Sequence, residues 1–253
     1  MDDKDNKARY GTEFVNEWAN KEGLQLEEKF FLETYLDKRG KTLEAGTGGG
    51  RIVLALQQLG FESLQGFDYL PEMIQQARLR DTSGRISFEV QDATKLPYAD
   101  ASFDQIIYMQ QILCMIDTDE GRMQALREAS RILKPAGVAV FSFLSFEGRR
   151  GIHLPFLAYL RALRMLRRSG RRMQYQPLLK LDGKFNFPSL LDHAPHVYWY
   201  RPDEAWKFLE AGGFRVLGAA TGYDAEGIRT FDSCEGLRNQ VQGQGLYFAC
   251  AKR

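Results

Sequence analysis

Four glycines in five residues, Gly46-Thr47-Gly48-Gly49-Gly50, separate a short apolar run at Thr42 to Glu44 from an amphipathic run at Arg51 to Leu59. Glycines at such a junction let the backbone bend sharply and approach a ligand closely. The helix that follows offers unpaired N–H groups and a partial positive charge. That suits an anionic or carboxylate-bearing nucleotide cofactor lying at the carboxyl ends of the strands of a sheet. A glycine loop alone is weak evidence, so its surroundings carry the argument.

The surroundings repeat one unit. β-type runs at Thr42 to Glu44, Ser63 to Asp68, Ile86 to Gln91, Phe103 to Tyr108 and Val138 to Phe143 alternate with helical patterns at Arg51 to Leu59, Pro71 to Arg80 and Glu120 to Leu133. In those patterns apolar residues recur at i, i+3 and i+4. Strand–helix repetition predicts an α/β fold with a parallel sheet covered on both faces. Pro71 suits the first turn of a helix, and Lys134, Pro135 and Gly137 end the one before them. The alternation stops after Phe143 and resumes with a helix at Pro202 to Ala211 and strands at Phe214 to Ala219 and Leu246 to Ala251; the Gly-rich stretch 222–244 reads as loop. The expected organisation is one domain over 1–253: an N-terminal helical lid (1–40), a cofactor-binding core (41–143), a basic cap (144–200) and the C-terminal part of the core (201–253).

Charge divides along the same lines. The chain has 34 Lys+Arg and 33 Asp+Glu, yet residues 147–201 hold eleven basic and three acidic residues, a net of +8, leaving 23 − 30 = −7 for the remainder. All three histidines, His153, His193 and His196, fall in the basic stretch. A near-neutral total therefore says nothing against an acidic substrate. A hydrophobic content of 44% excludes global disorder. No apolar stretch reaches the roughly 18 residues of a membrane span, and the acidic start is unlike a secretory signal, so a soluble cytoplasmic protein is expected. Cys114, Cys234 and Cys250 form no CxxC and have no histidine at ligand spacing, which reads as packed thiols with no metal.

Spacing discriminates among nucleotide cofactors. A dinucleotide fold wants G-x-G-x-x-G, but counting from Gly46 and Gly48 the third position is Arg51; the pattern is E-x-G-x-G-x-G-R from Glu44. Asp68 ends the second β-type run, where a carboxylate can accept both hydroxyls of a ribose. Asp92 follows the third, where it could accept from an adenine amino group.

With LEAGTGGGR, GFDYLPEMI, FEVQDATKLPYADASFDQII and LREASRILKPAGVAVFSF in place, the chain resembles the class I S-adenosylmethionine-dependent methyltransferases, densely over Thr42 to Phe143 and more loosely from Tyr198 onward. The resemblance implies a Rossmann-like, mostly parallel seven-stranded sheet with helices on both faces and an inserted, partly helical cap. It implies S-adenosylmethionine as cofactor, with Gly46, Thr47 and Gly48 against its methionine part and Glu44 shaping the loop near its amino group. Asp68 would hold the ribose, Tyr69 would lie beside the adenine, and Asp92 with Ala93 would address the adenine edge. Met109 and Gln110 would approach the amino group and sulfonium. For Arg51 a carboxylate contact and a helix-start salt bridge both stand.

A sulfonium already makes the methyl carbon electrophilic, so such a site mainly aligns a nucleophile and excludes water, which is worth about 7–11 kcal/mol. The expected acceptor is oxygen or nitrogen of a small molecule bearing a carboxylate or phosphate, with carbon as a further option. Tyr108-Met109-Gln110-Gln111 is not the N/D-P-P-Y/F tetrapeptide of enzymes acting on exocyclic amino groups of nucleic-acid bases. Two rivals remain: a nucleic-acid methyltransferase or binder using the basic cap, and a non-catalytic cofactor-binding protein. His196 is the candidate general base, since an imidazole titrates near neutral pH. Candidate substrate contacts are Gln111, Tyr198, Arg161, Tyr10 and Trp18. Arg161, Arg164 and Arg168 mark one side of a basic amphipathic helix at Leu154 to Arg172, with Phe156, Leu160 and Leu163 on another. A solvated cap helix, a funnel for an acidic substrate, and a membrane or nucleic-acid contact compete for it. Tyr10, Phe14 and Trp18 recur every four residues, as a packed helix face or as a lid.

Overall fold

The computed structural model describes residues 19–149, 153–181, 184–193, 195–222, 227–240 and 242–253. Tyr10, Phe14 and Trp18 lie outside them. Strands β1 (Lys41–Ala45), β2 (Ser63–Asp68), β3 (Ser87–Val90), β4 (Phe103–Tyr108) and β5 (Leu133–Ser145) are parallel neighbours in the order β5-β4-β1-β2-β3. Helices α1 (Leu26–Tyr35), α2 (Arg51–Gln58), α3 (Pro71–Arg80), α4 (Ile112–Met115) and α5 (Asp119–Ile132) complete the first half. Thr118 caps α5 by accepting from the Gly121 N–H, and Pro71 opens α3.

The central parallel strands β1 and β4 are buried on both faces, and alternate residues serve two apolar layers. Ile106, Tyr108, Phe141 and Phe143 pack with α5, whereas Ile107, Met109 and Val140 pack with α1, α2 and α3. Phe31 and Leu32 make α1 part of this second layer. Beyond β5, helix α6 (His153–Leu166) is followed by β6 (Tyr175–Pro177), β7 (Lys180–Leu181), β8 (Lys184–Phe185), a 3₁₀ turn at Phe187–Leu191 and β9 (His196–Tyr200). Helix α7 (Pro202–Ala211), β10 (Phe214–Ala220), helix α8 (Cys234–Arg238) and β11 (Gly245–Lys252) complete the chain, with β11 antiparallel to both β5 and β10.

The central sheet has nine strands rather than the expected seven. Seven form the continuous path β10-β11-β5-β4-β1-β2-β3. The other two come from the stretch taken as irregular cap: β9 pairs with β5 in parallel (Leu144↔Trp199, Ser145↔Tyr200), and β6 pairs with β9 in antiparallel. All five residues of β9 are buried, so it carries no polar–apolar alternation to mark it as a strand.

A second correction concerns the cap helix, which ends at Leu166 rather than near Arg172. Arg164 does not share a solvated face with Arg161. It lies on the buried face, one turn after Leu160, because Asp192 accepts from its Nε and Nη2 at 2.7 and 2.6 Å. The described residues of stretch 222–244 contain α8, capped by Ser233, where a loop was expected. All three cysteines are free. Among the described residues no helix is long and apolar enough to cross a membrane.

Candidate cofactor and acceptor site

The carboxyl ends of β1, β2, β4 and β5 open on one edge of the sheet, and the expected cofactor residues collect there. After β1 the chain turns through Gly46 (φ +62°), Gly48 (φ +54°) and Gly50 (φ +83°), a left-handed backbone that glycine adopts without strain. A Cβ on Gly46 would fall 2.2 Å from Ile112 Cδ1, so the loop also passes close beneath α4. Over Gly48 there is open space, with nothing within 4 Å of a notional Cβ.

Asp68, at the end of β2, binds this loop directly. The Gly48 N–H donates to its Oδ2 at 2.9 Å and the Leu70 N–H to its Oδ1 at 3.0 Å. Burial raises its pKa above the ordinary carboxylate value, against the pull of those N–H donors, and no described cation is paired with it. A buried carboxylate of this kind has acceptor capacity left for neutral donors such as hydroxyls. Burial, and after it the charges of Asp68 and Asp92, raise the pKa of Tyr69. Asp92 Oδ1 accepts from the Thr94 N–H and Oγ1 at 2.9 and 2.7 Å, and Ala93 packs partly against the core. Open space above Gly48 and a buried carboxylate with no described cation beside it fit the expected nucleoside cofactor.

Glu44 is buried beneath the loop, where the Thr47 hydroxyl donates to its Oε2 at 2.6 Å and the Val53 N–H at 3.3 Å. Burial pushes its pKa up to about 8. From about 4.5 to about 8 the folded protein therefore holds a proton that the unfolded chain has lost, and stability falls as pH rises through that window. The slope should approach 1.4 kcal/mol per pH unit, at most. Urea denaturation at several pH values should reveal it, and Glu44→Gln should flatten it; an unchanged slope in the variant would assign it elsewhere.

One residue absent from the sequence reading organises the rim. Glu28, in the first turn of α1 and 1% exposed, accepts from Arg51 Nη1 and Nη2 at 2.8 and 2.6 Å. Gln110 Nε2 also donates to it, and the Gln25 N–H donates at 2.8 Å. Arg51 thus makes an ion pair, and its Nη1 further binds the Gly23 carbonyl at 2.6 Å. Arg80 adds bonds of 2.8 Å to the carbonyls of Ala19, Lys21 and Gly49. The segment from Ala19 to Glu28 is thereby strapped to the glycine loop. Gln25-x-x-Glu28 at a helix start was the available signal, since Glu28 sits where a capping glutamate would.

After β4 the chain turns through Gln110 and Gln111, both left-handed (φ 58° and 57°), a conformation that side-chain-bearing residues hold only when their surroundings enforce it. Glu28 holds the first side chain, and the Gln111 N–H donates to Ser142 Oγ on β5 at 3.1 Å. Met109, buried beside them, belongs to the apolar layer.

The candidates of the basic stretch gather differently. His196 Nε2 lies 3.1 Å from Asp192 Oδ1, in a buried group completed by Arg164; burial lowers its pKa, although Asp192 opposes the shift. Tyr198 is buried, its ring 4.0 Å from the Arg122 guanidinium and its hydroxyl bonded to Glu204 and Arg172. Arg161 is exposed. The structure thus gathers Glu44, Gly46, Gly48, Asp68 and Tyr69 in one place, and ties His196 and Tyr198 into networks within the basic stretch.

Comparison with known proteins agrees with this geometry. A family model described as a methyltransferase domain matches residues 43–141. The chain is 29% identical over 214 residues, 82% of its length and 80% of the relative's, to the ubiquinone/menaquinone biosynthesis C-methyltransferase UbiE of Geobacter sp. (strain M21). It is also 29% identical to the 27-O-demethylrifamycin SV methyltransferase of Amycolatopsis mediterranei, over 117 residues, 44% of this chain and 42% of that one. A solved S-adenosylmethionine-dependent methyltransferase from Methanosarcina mazei shares the fold, with a TM-score of 0.63 at 20% identity over 88% of this chain and 96% of that one. Residues 43–141 match a methyltransferase domain and the fold is that of solved S-adenosylmethionine-dependent methyltransferases, so the chain is a methyltransferase with S-adenosylmethionine as its cofactor.

Proposed function

We propose that this enzyme methylates a carbon atom of a small phenol- or enol-type molecule by direct in-line transfer. The observation that supports the choice of carbon is how far each relative runs along the chain. The UbiE relative matches over four-fifths of both proteins, beyond the cofactor core, whereas the O-methylating relative matches over less than half of either. Oxygen or nitrogen, the acceptors that the sequence suggested, become the alternative outcome of the test.

In this reading Gly46, Thr47 and Gly48 face the methionine part of the cofactor, Asp68 accepts from the ribose hydroxyls, and Tyr69, Asp92 and Ala93 line the adenine. Glu44 shapes the loop beneath the amino group through its bonds to Thr47 and Val53. S-adenosylmethionine, when bound, supplies a methyl carbon that is already electrophilic. The protein's contribution is to hold the acceptor carbon in line and keep water away. The acceptor carbon gains the methyl group and loses one proton. Burial holds both His153 and His196 below the ordinary imidazole pKa, so each is neutral near pH 7 and able to accept that proton. His196 remains a candidate, with Asp192 orienting its ring.

The test is product analysis. The purified enzyme is given labelled S-adenosylmethionine and a set of small phenols and enols, and the position of the new methyl group is read by NMR. A methyl on ring or chain carbon, with the hydroxyl still free, is expected. A methyl ether or methylamine as the sole product would overturn the choice of carbon.

A further inference from the structure

Arg149 lies four residues beyond the end of β5, on the same edge of the sheet as Gly48, Asp68 and Gln111. It is only 6% exposed, and its Nε and Nη1 are buried with no hydrogen-bond partner among the described residues. Its guanidinium sits 3.3 Å from the centre of the Phe146 ring and 5.8 Å from that of Trp199. Trp199 Nε1 is a second buried donor without a partner. Glu147, the acid that acts on Arg149, is ion-paired instead with Arg201 at 3.6 Å, and Arg201 itself lies 5.2 Å over the Phe146 ring. His153 completes the group, its ring 5.7 Å from Trp199.

An unsatisfied buried donor costs about 1–3 kcal/mol, and a charged one more. Burial, and after it the charge of Arg201, lower the pKa of Arg149 to about 10, so the guanidinium is still charged near pH 7. The arrangement is also rigid. The Ser145 N–H donates to the Gln244 carbonyl at 2.9 Å, Phe146 N–H to the Tyr200 carbonyl at 2.8 Å, and Gly148 N–H to Ser145 Oγ at 3.1 Å. A Cβ on Gly148 would fall 1.6 Å from the Gly243 carbonyl oxygen, so the turn is pressed against the loop before β11. Among the described residues three donor groups thus stand beside two aromatic faces without an acceptor.

We propose that Arg149, with Trp199 Nε1, anchors an oxyanion of the methyl acceptor, a carboxylate or phenolate on a planar ring that lies against Phe146 and Trp199. The proposal rests on the methyltransferase reading above and names the substrate class of that site: a planar, anionic small molecule. Arg149 is a substrate-binding and specificity residue, and cofactor binding does not pass through it.

The test compares 4-hydroxybenzoate with its neutral amide, 4-hydroxybenzamide, in calorimetric titrations of the enzyme saturated with S-adenosylhomocysteine. The parent should bind the acid about 10- to 100-fold more tightly than the amide. Arg149→Met should abolish that preference and leave S-adenosylhomocysteine affinity unchanged, while Arg149→Lys should keep part of it. Because no described residue forms an ion pair with the guanidinium, Arg149→Met should also unfold at an unchanged or higher temperature. A parent without the preference, a methionine variant that retains it, or a methionine variant that is markedly less stable would each overturn the proposal. Methyl ethers formed from anionic acceptors, with the preference intact, would overturn the choice of carbon and leave the anchor standing. Carbon methylation of neutral acceptors, unaffected by Arg149→Met, would do the reverse.

Discussion

Replacing Arg51 with methionine should destabilise the protein by about 3–5 kcal/mol, because Glu28, in a site that is 1% exposed, would lose its cation. The Gln25 N–H and the Gln110 amide remain as donors to Glu28, but neither neutralises it. Urea denaturation monitored by circular dichroism gives the difference directly. The double variant Arg51→Met, Glu28→Gln should recover most of the loss, since the buried charge goes with its partner. A single-variant loss below about 1 kcal/mol would mean that water reaches Glu28. The variant should also release the stretch from Ala19 to Gly23, because Arg51 holds the Gly23 carbonyl. Faster protease cleavage there would register that release.

The second large effect belongs to Asp68. Asp68→Ala removes the carboxylate proposed to accept both ribose hydroxyls, and two hydrogen bonds to a charged group are worth about 3 kcal/mol or more. S-adenosylmethionine should therefore bind at least about 100-fold more weakly by calorimetry. The parent carboxylate is itself destabilised by burial, and its removal offsets the loss of the bonds from Gly48 and Leu70. The unfolding temperature should accordingly move little while affinity collapses. Affinity within about threefold of the parent would place the ribose elsewhere.

These two residues also mark what a sequence can and cannot disclose. Asp68 was legible because it depends on local facts: a strand ends there, a glycine loop precedes it, and the parallel sheet puts both on one edge. Glu28 depends on a contact across 23 positions to Arg51 and 82 to Gln110, and no local periodicity encodes that. Arg164 is a similar case. Its place on the helical wheel fits a solvated face and a buried one equally well, until Asp192, 28 positions away, proves to be waiting for it. Strand β9 escaped notice for the opposite reason. His196-Val197-Tyr198-Trp199-Tyr200 is rich in strand-forming residues, but it is buried throughout and too short to declare a period. Arg149 lay inside the basic stretch that the charge count singled out, yet a net of +8 cannot say which arginine lacks a counter-ion.

The far end of β5 is held from two sides, Leu144 pairing with Gly245 on β11 and with Trp199 on β9. Trp199, part of the proposed acceptor floor, therefore sits on the same hydrogen-bonded ladder as the strands that carry the cofactor loop, and the offset between donor and acceptor is measured in backbone repeats. Backbone pairing, rather than loop packing, would then set how far the proposed acceptor floor stands from the cofactor loop.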